Sequence, residues 1–151
     1  MKRINLLVII LCWLLCTATQ CNKDCHSNIT FINNSDKTLY VRSNIYYPSD
    51  TLSSLREFNE HIHKVLPNSV NTNCLARGAK TCYNAFPKIM IFIVDEQVMA
   101  TVPWDTIENE YMVLRRYDLT PEDLELLDWK VPYPPTEVMK NMKMYPPYGS
   151  E

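Results

Sequence analysis

The chain has 151 residues, 46% of them hydrophobic, with 15 Lys and Arg against 17 Asp and Glu and a formal net charge of −2. Without its first 20 residues it keeps 13 basic against 17 acidic residues, a net charge of −4, and no basic run longer than Arg115-Arg116. Nucleic acid is therefore not an expected partner, because that class needs a concentrated basic surface; with only two glycines, the chain also has no phosphate-cradling loop.

The N-terminus carries the clearest address. Lys2 and Arg3 precede an unbroken apolar run from Leu6 to Cys16, and Thr17 to Gln20 lead to Cys21 before the sequence turns polar at Asn22. A basic start, a short apolar stretch and a small-residue exit form a secretory signal peptide over residues 1–20. A bilayer-spanning helix needs about 20 apolar residues, so a permanent helical anchor is the weaker reading. Cys21, at the polar border, is the expected lipid-attachment residue of a lipoprotein. Gln20 before it is larger than the usual Gly, Ala or Ser, and cleavage after Ala18 would instead release a soluble secreted protein.

Residues 21–27 read as a tether and residues 28–135 as one β-rich globular domain, long enough for a single core. Ile29, Phe31 and Ile32 sit in a β-rich run that stops at Asn33-Asn34-Ser35-Asp36, four turn formers. Leu39, Val41 and Ile45 then alternate with polar residues, which predicts a hairpin ended by Pro48. Residues 53–66 read as a short helix around 54–60, with Ser54 and Glu57 as a capping box, followed by an extended edge segment through Val65. Ile89 to Val94 is a run of six apolar residues and predicts a strand buried on both faces. Tyr111 to Arg116 is a further strand candidate. Thr120, Pro121, Glu122 and Asp123 mark a helix start, with Thr120 as N-cap and Pro121 at the first helical position. Leu124, Leu126 and Leu127 would supply its apolar side. Trp129, Val131 and Tyr133 read as a final edge strand. Residues 136–151, rich in Tyr, Pro and Met, suit a polyproline-like or loosely docked tail. The expected fold is mainly β: a compact β-sandwich-like domain with one or two short helices.

In an exported protein the cysteines are expected to pair. Cys74 and Cys82 flank Gly78 and are the first-choice bridge; Cys25–Cys82 and Cys25–Cys74 remain alternatives, because spacing does not settle connectivity. With Cys21 lipidated, one thiol is left over. No Cys-x-x-Cys pair suggests zinc.

The Asn33-Asn34-Ser35-Asp36 turn is followed by Tyr46-Tyr47-Pro48-Ser49-Asp50-Thr51, Ile91-Phe92-Ile93 with Asp95, and Pro103-Trp104-Asp105-Thr106-Ile107. Leu114 to Thr120, Glu122-Asp123-Leu124 and Trp129 to Pro134 complete an ordered set. Over about residues 28–135 this set resembles a group of small exported lipoproteins of Bacteroidota that has no characterised activity. The resemblance implies envelope localisation and a compact domain. Such bacteria attach O-glycans at Asp-Ser/Thr-aliphatic triplets, so it also implies Thr51 (Asp50-Thr51-Leu52) and Thr106 (Asp105-Thr106-Ile107) as candidate acceptors.

The remaining chemistry is sparse. His61 and His63 share a face only on a strand, and without a third ligand nearby they read as solvent-facing polar side chains. Asp95, Glu96, Asp105, Glu108 and Glu110 could supply paired carboxylates for sugar hydrolysis, but they read better as an ordinary solvated surface. Tyr46, Tyr47 and Trp104 form a candidate aromatic binding surface for a glycan or a protein partner, although packing of Trp104 and Trp129 is the more economical reading. Of Arg115 and Arg116, one is expected to face inward, paired with an acid such as Asp95, Asp105 or Asp118. The expectation is a lipid-anchored cell-envelope protein, at the outer membrane, acting as a non-catalytic binding or accessory module with no cofactor. The alternatives are a soluble periplasmic or secreted enzyme or inhibitor acting on polysaccharide or peptide, and a structural assembly subunit.

Overall fold

The structure, a computed structural model, describes residues 25–46, 52, 63–76 and 82–150. The fold is mainly β. Strands β1 (Thr30–Asn33), β4 (Ser69–Asn71) and β7 (Lys130–Tyr133) form one sheet in the order β4-β1-β7. Strands β2 (Leu39–Asn44), β3 (Lys64–Val65), β5 (Ile89–Asp95), β6 (Arg115–Leu119) and β8 (Met144–Tyr145) form the other, in the order β3-β2-β5-β6-β8. All pairs are antiparallel except β1 with β7.

β5 explains the layering. Its first six residues are all buried, and because successive side chains point to opposite faces they feed two cores. Ile89, Ile91 and Ile93 join the main core with Phe31, Leu39, Val41, Tyr117, Leu119 and Val131, residues drawn from both sheets. Met90 and Phe92 point the other way, against Leu52 and Ile107, with Val98, Met99, Val102 and Trp104 packed around them. Val98 and Met99 belong to helix α1 (Glu96–Thr101), which Val102 caps, and Trp104 and Ile107 to helix α2 (Trp104–Asn109). The three-stranded sheet therefore covers one face of the larger sheet and two short helices cover the other. The strand expected to be buried on both faces is so buried.

Helix α3 (Pro121–Leu126) starts as its sequence requires. The Thr120 side chain accepts from the Asp123 N–H, the Asp123 carboxylate accepts from the Thr120 N–H, and Pro121 occupies the first turn. Leu124 is buried and Leu127 packs on the core, whereas Leu126 is 71% exposed. The helix ends without glycine. Asp128 and Trp129 take positive φ of 51° and 56°, and the Trp129 N–H donates to the Leu124 carbonyl while the Asp128 N–H donates to the Glu125 carbonyl. This is a Schellman closure, and its apolar contact comes from Trp129 and Leu124 in the same core.

Three expectations are corrected. β1 and β2 do not form a hairpin: the Asn33–Asp36 turn carries the chain from one sheet into the other. Asn33 is fully buried, and its side-chain amide donates to the Lys37 and Leu66 carbonyls while its oxygen accepts from the Ser35 N–H and hydroxyl. These bonds tie the turn to the β3–β4 connection, while the two edges of β1 pair with β4 and β7. β6 begins at Arg115, four residues later than Tyr111, because Met112 donates to Ile107 and Val113 to Tyr111 as the chain leaves α2. The C-terminal segment is not a loose tail. Met139 is fully buried, Met142 and Met144 nearly so, and β8 pairs with β6; flexible thioether side chains fill the core gaps that remain there. The extended segment expected before residue 66 is present as β3, at an edge, whereas the helix expected around 54–60 lies outside the described residues.

Candidate functional site

The N-terminal entry is fastened where the chain emerges toward Cys21. Cys25 is bonded to Cys82, 57 residues away. The next residue, His26, gives its carbonyl to the Tyr83 N–H at 2.7 Å and lays its ring on Trp129, with 4.0 Å between ring centroids and 12° between planes. Thr30 then donates to the Trp129 carbonyl at 2.9 Å and β1 begins. The left-handed backbone at Trp129 thus serves both the closure of α3 and the docking of the N-terminal strand.

This corrects the first-choice bridge. Cys74 is free and buried in the main core, and burial pushes its thiol up to about 12. It stays protonated at neutral pH and is a poor nucleophile. Cys82, by contrast, leads into the short 3-10 turn Tyr83–Ala85, which the Tyr83–His26 bond sets against the incoming chain. The Tyr83 hydroxyl donates to the Leu75 carbonyl, holding the Cys74 segment against the same core.

A second constellation lies on the β6–β8 edge, on the sheet face that carries Phe92. Arg116 pairs with the Asp118 carboxylate, Nε lying 2.8 Å from it and Nη2 donating to it at 3.2 Å, and Nη1 donates to the Tyr111 hydroxyl at 2.5 Å. Burial opposes the guanidinium charge, but Asp118 and Tyr111 outweigh it and hold the Arg116 pKa above its ordinary value. Lys143 approaches Asp118 at 3.5 Å, Tyr145 meets Tyr111 edge to face at 5.5 Å, and the Arg116 guanidinium lies 5.8 Å from the Tyr111 ring centre. Asp118 is 1% exposed and Tyr145 is 49% exposed, so the pair is structural while the aromatic rim meets solvent. Arg115, on the opposite face, is buried and donates to the Pro146 and Pro147 carbonyls at 2.6 and 3.2 Å. An arginine–acid pair exists, but it is made by the less buried Arg116 with Asp118, whereas the buried Arg115 fastens the C-terminal segment through backbone carbonyls. Tyr145 carries no signal of its own in the sequence, because it meets Tyr111 only once β8 has docked beside β6.

The proposed aromatic surface divides. Tyr46 is 73% exposed after β2, its N–H held by the Asn44 side chain, whereas Trp104 is partly buried against the Met90–Phe92 core; Tyr47 lies outside the described residues. Thr106 is half-buried on α2, between exposed Asp105 and buried Ile107; Thr51, like Cys21 and His61, lies outside the described residues. Among the described residues no group of three His, Cys, Asp or Glu could hold a metal. Asp95 caps α1 and pairs with Lys37, and Glu96 pairs with Lys64, so two of the candidate acids have structural duties. No described helix is long and apolar enough to cross a membrane. No protein-family model, curated protein or solved structure matches the chain.

Proposed function

We propose that this chain is a lipid-anchored cell-envelope protein, attached to the outer membrane through Cys21, whose β-rich domain acts as a non-catalytic binding or accessory module. The observation that carries the reading is the Cys25–Cys82 bond four residues beyond Cys21. Disulfides persist in oxidising compartments, in keeping with the signal-like segment that precedes it. Asp95 and Glu96 being committed to a helix cap and to ion pairs favours a binding role over hydrolysis. The solvent-facing rim of Tyr111 and Tyr145 beside Arg116 and Lys143 is the described surface best suited to a glycan or protein partner.

Growth with radiolabelled palmitate tests the anchor. Label is expected in the parent protein and absent from a Cys21→Ala control; an unlabelled parent overturns the reading. N-terminal sequencing adds an independent readout: a free N-terminus at Thr19 identifies the soluble secreted form instead.

A further inference from the structure

The fastening at Cys25 restricts how such a domain can meet a membrane. Only Asn22, Lys23 and Asp24 separate Cys21 from Cys25. Four residue steps of even fully extended chain reach at most about 14 Å. A domain of this length has a radius of gyration of about 14 Å and hence a diameter of about 35 Å. The leash is therefore far shorter than the body it holds, and the body cannot turn over on it. Without the disulfide and the His26 contacts, the first fixed residue would be Thr30 and the leash would reach about 30 Å, enough to permit most orientations.

We infer that the domain stands on the bilayer surface on the end formed by Cys25, Cys82, His26 and Trp129, with the Asn33–Lys37 turn directed away. This rests on the proposed lipid at Cys21. The direction follows from β1. Its start at Thr30 lies beside Lys130 of β7 and the Trp129 carbonyl, and its exit at Asn34 is bonded to the Tyr133 carbonyl at the far end of β7. Four strand residues separate these levels by about 13 Å. Ser35 then accepts from the Asn68 N–H, so the β3–β4 connection, with its exposed Leu66, lies at the same distal end. Lipid headgroups are the partner of the near end, and the distal end is left open to the aqueous side.

Two native lysines read the orientation without substitution. Lys130 is at the near end, beside Asp128, with a side chain 55% exposed; Lys37 is at the distal end, beside Asp95, and 52% exposed. Similar exposure and an ion pair at each make them comparable reporters, each read against its own reactivity in the free domain. Lipidated protein added to preformed phosphatidylcholine–phosphatidylethanolamine vesicles is acetylated briefly with a membrane-impermeant amine-reactive ester, then read by peptide mass spectrometry. The unlipidated Cys21→Ala protein serves as the reference. Lys130 is expected to lose reactivity several-fold on vesicles while Lys37 stays unchanged. Equal reactivity at both, or loss at Lys37, in protein that floats with the vesicles overturns the orientation and leaves the anchor standing. Protein that does not float with the vesicles overturns the anchor, and the orientation falls with it.

Discussion

The side-chain amide of Asn33 donates to the backbone carbonyl of Leu66, 33 residues away, at 2.9 Å. The same amide reaches the Lys37 carbonyl at 2.7 Å, and the side-chain oxygen takes two bonds from Ser35. One fully buried asparagine thus joins the end of β1, the turn after it and the β3–β4 connection. Asn33→Asp keeps the shape and removes both donors. Unsatisfied buried groups cost about 1–3 kcal/mol each, so a loss of about 3 kcal/mol is expected in urea unfolding. A variant as stable as the parent would show that the bonds contribute nothing.

Cutting Cys25–Cys82 frees a 57-residue loop in the unfolded chain. Chain-entropy reasoning for a loop of that length predicts a loss of about 4 kcal/mol. A Cys25→Ala/Cys82→Ala protein compared with the parent in denaturant measures it. A midpoint that does not move would place the stabilisation elsewhere.

Cys74 offers a probe of opening. Its buried thiol, with a pKa pushed up to about 12, should resist iodoacetamide at pH 8 in the folded protein and react once denaturant unfolds the main core. Labelling at the free-thiol rate under native conditions would contradict its burial.

Arg115 donates to the carbonyls of Pro146 and Pro147, and Met144 packs on the core beside it. Arg115→Ala removes the donor that fastens the last segment. A loss of about 2–4 kcal/mol is expected, since bonds to charged groups contribute about 1.5–3 kcal/mol each. Hydrogen exchange localises the effect: the Met144 and Tyr145 amides should lose protection before those of β5.

His63 titrates below its ordinary 6.5, chiefly because burial disfavours its charged form and secondarily because Arg42 is near. The native state therefore takes up a proton less readily than the unfolded chain. Its contribution is intact above pH 6.5 and declines as pH falls from 6.5 toward the lower native value. His63→Gln should flatten that part of the stability profile; an unchanged slope would assign the acid sensitivity to other groups.

The features legible in the sequence are those decided within a few residues. The apolar run of β5 marked a doubly buried strand, because six apolar residues can be satisfied only by cover on both faces. Thr120, Pro121 and Asp123 marked the start of α3, because a capping box closes on its own backbone. The mainly β, two-sheet character followed from such short runs. Leu126 shows the limit: it fits the helical spacing but the helix is too short for its outer side to be covered.

What tertiary structure decided involves partners distant in sequence. The pairing of Cys25 with Cys82 depends on the Tyr83 turn meeting His26, and the parallel pairing of β1 with β7 brings together residues about a hundred positions apart. β1 and β2 form no hairpin because both edges of β1 are taken, one by β4 and the other by β7. Met139, Met142 and Met144 complete the core because β8 finds the open edge of β6. Each of these is a closure across a long loop, whose entropic cost rises only slowly with length; many partners are therefore nearly equivalent on the chain, and the packed core selects among them. The signal-like pattern around Cys21 is by contrast a wholly local property of the chain, and the fold contributes the disulfide-fixed point four residues beyond it.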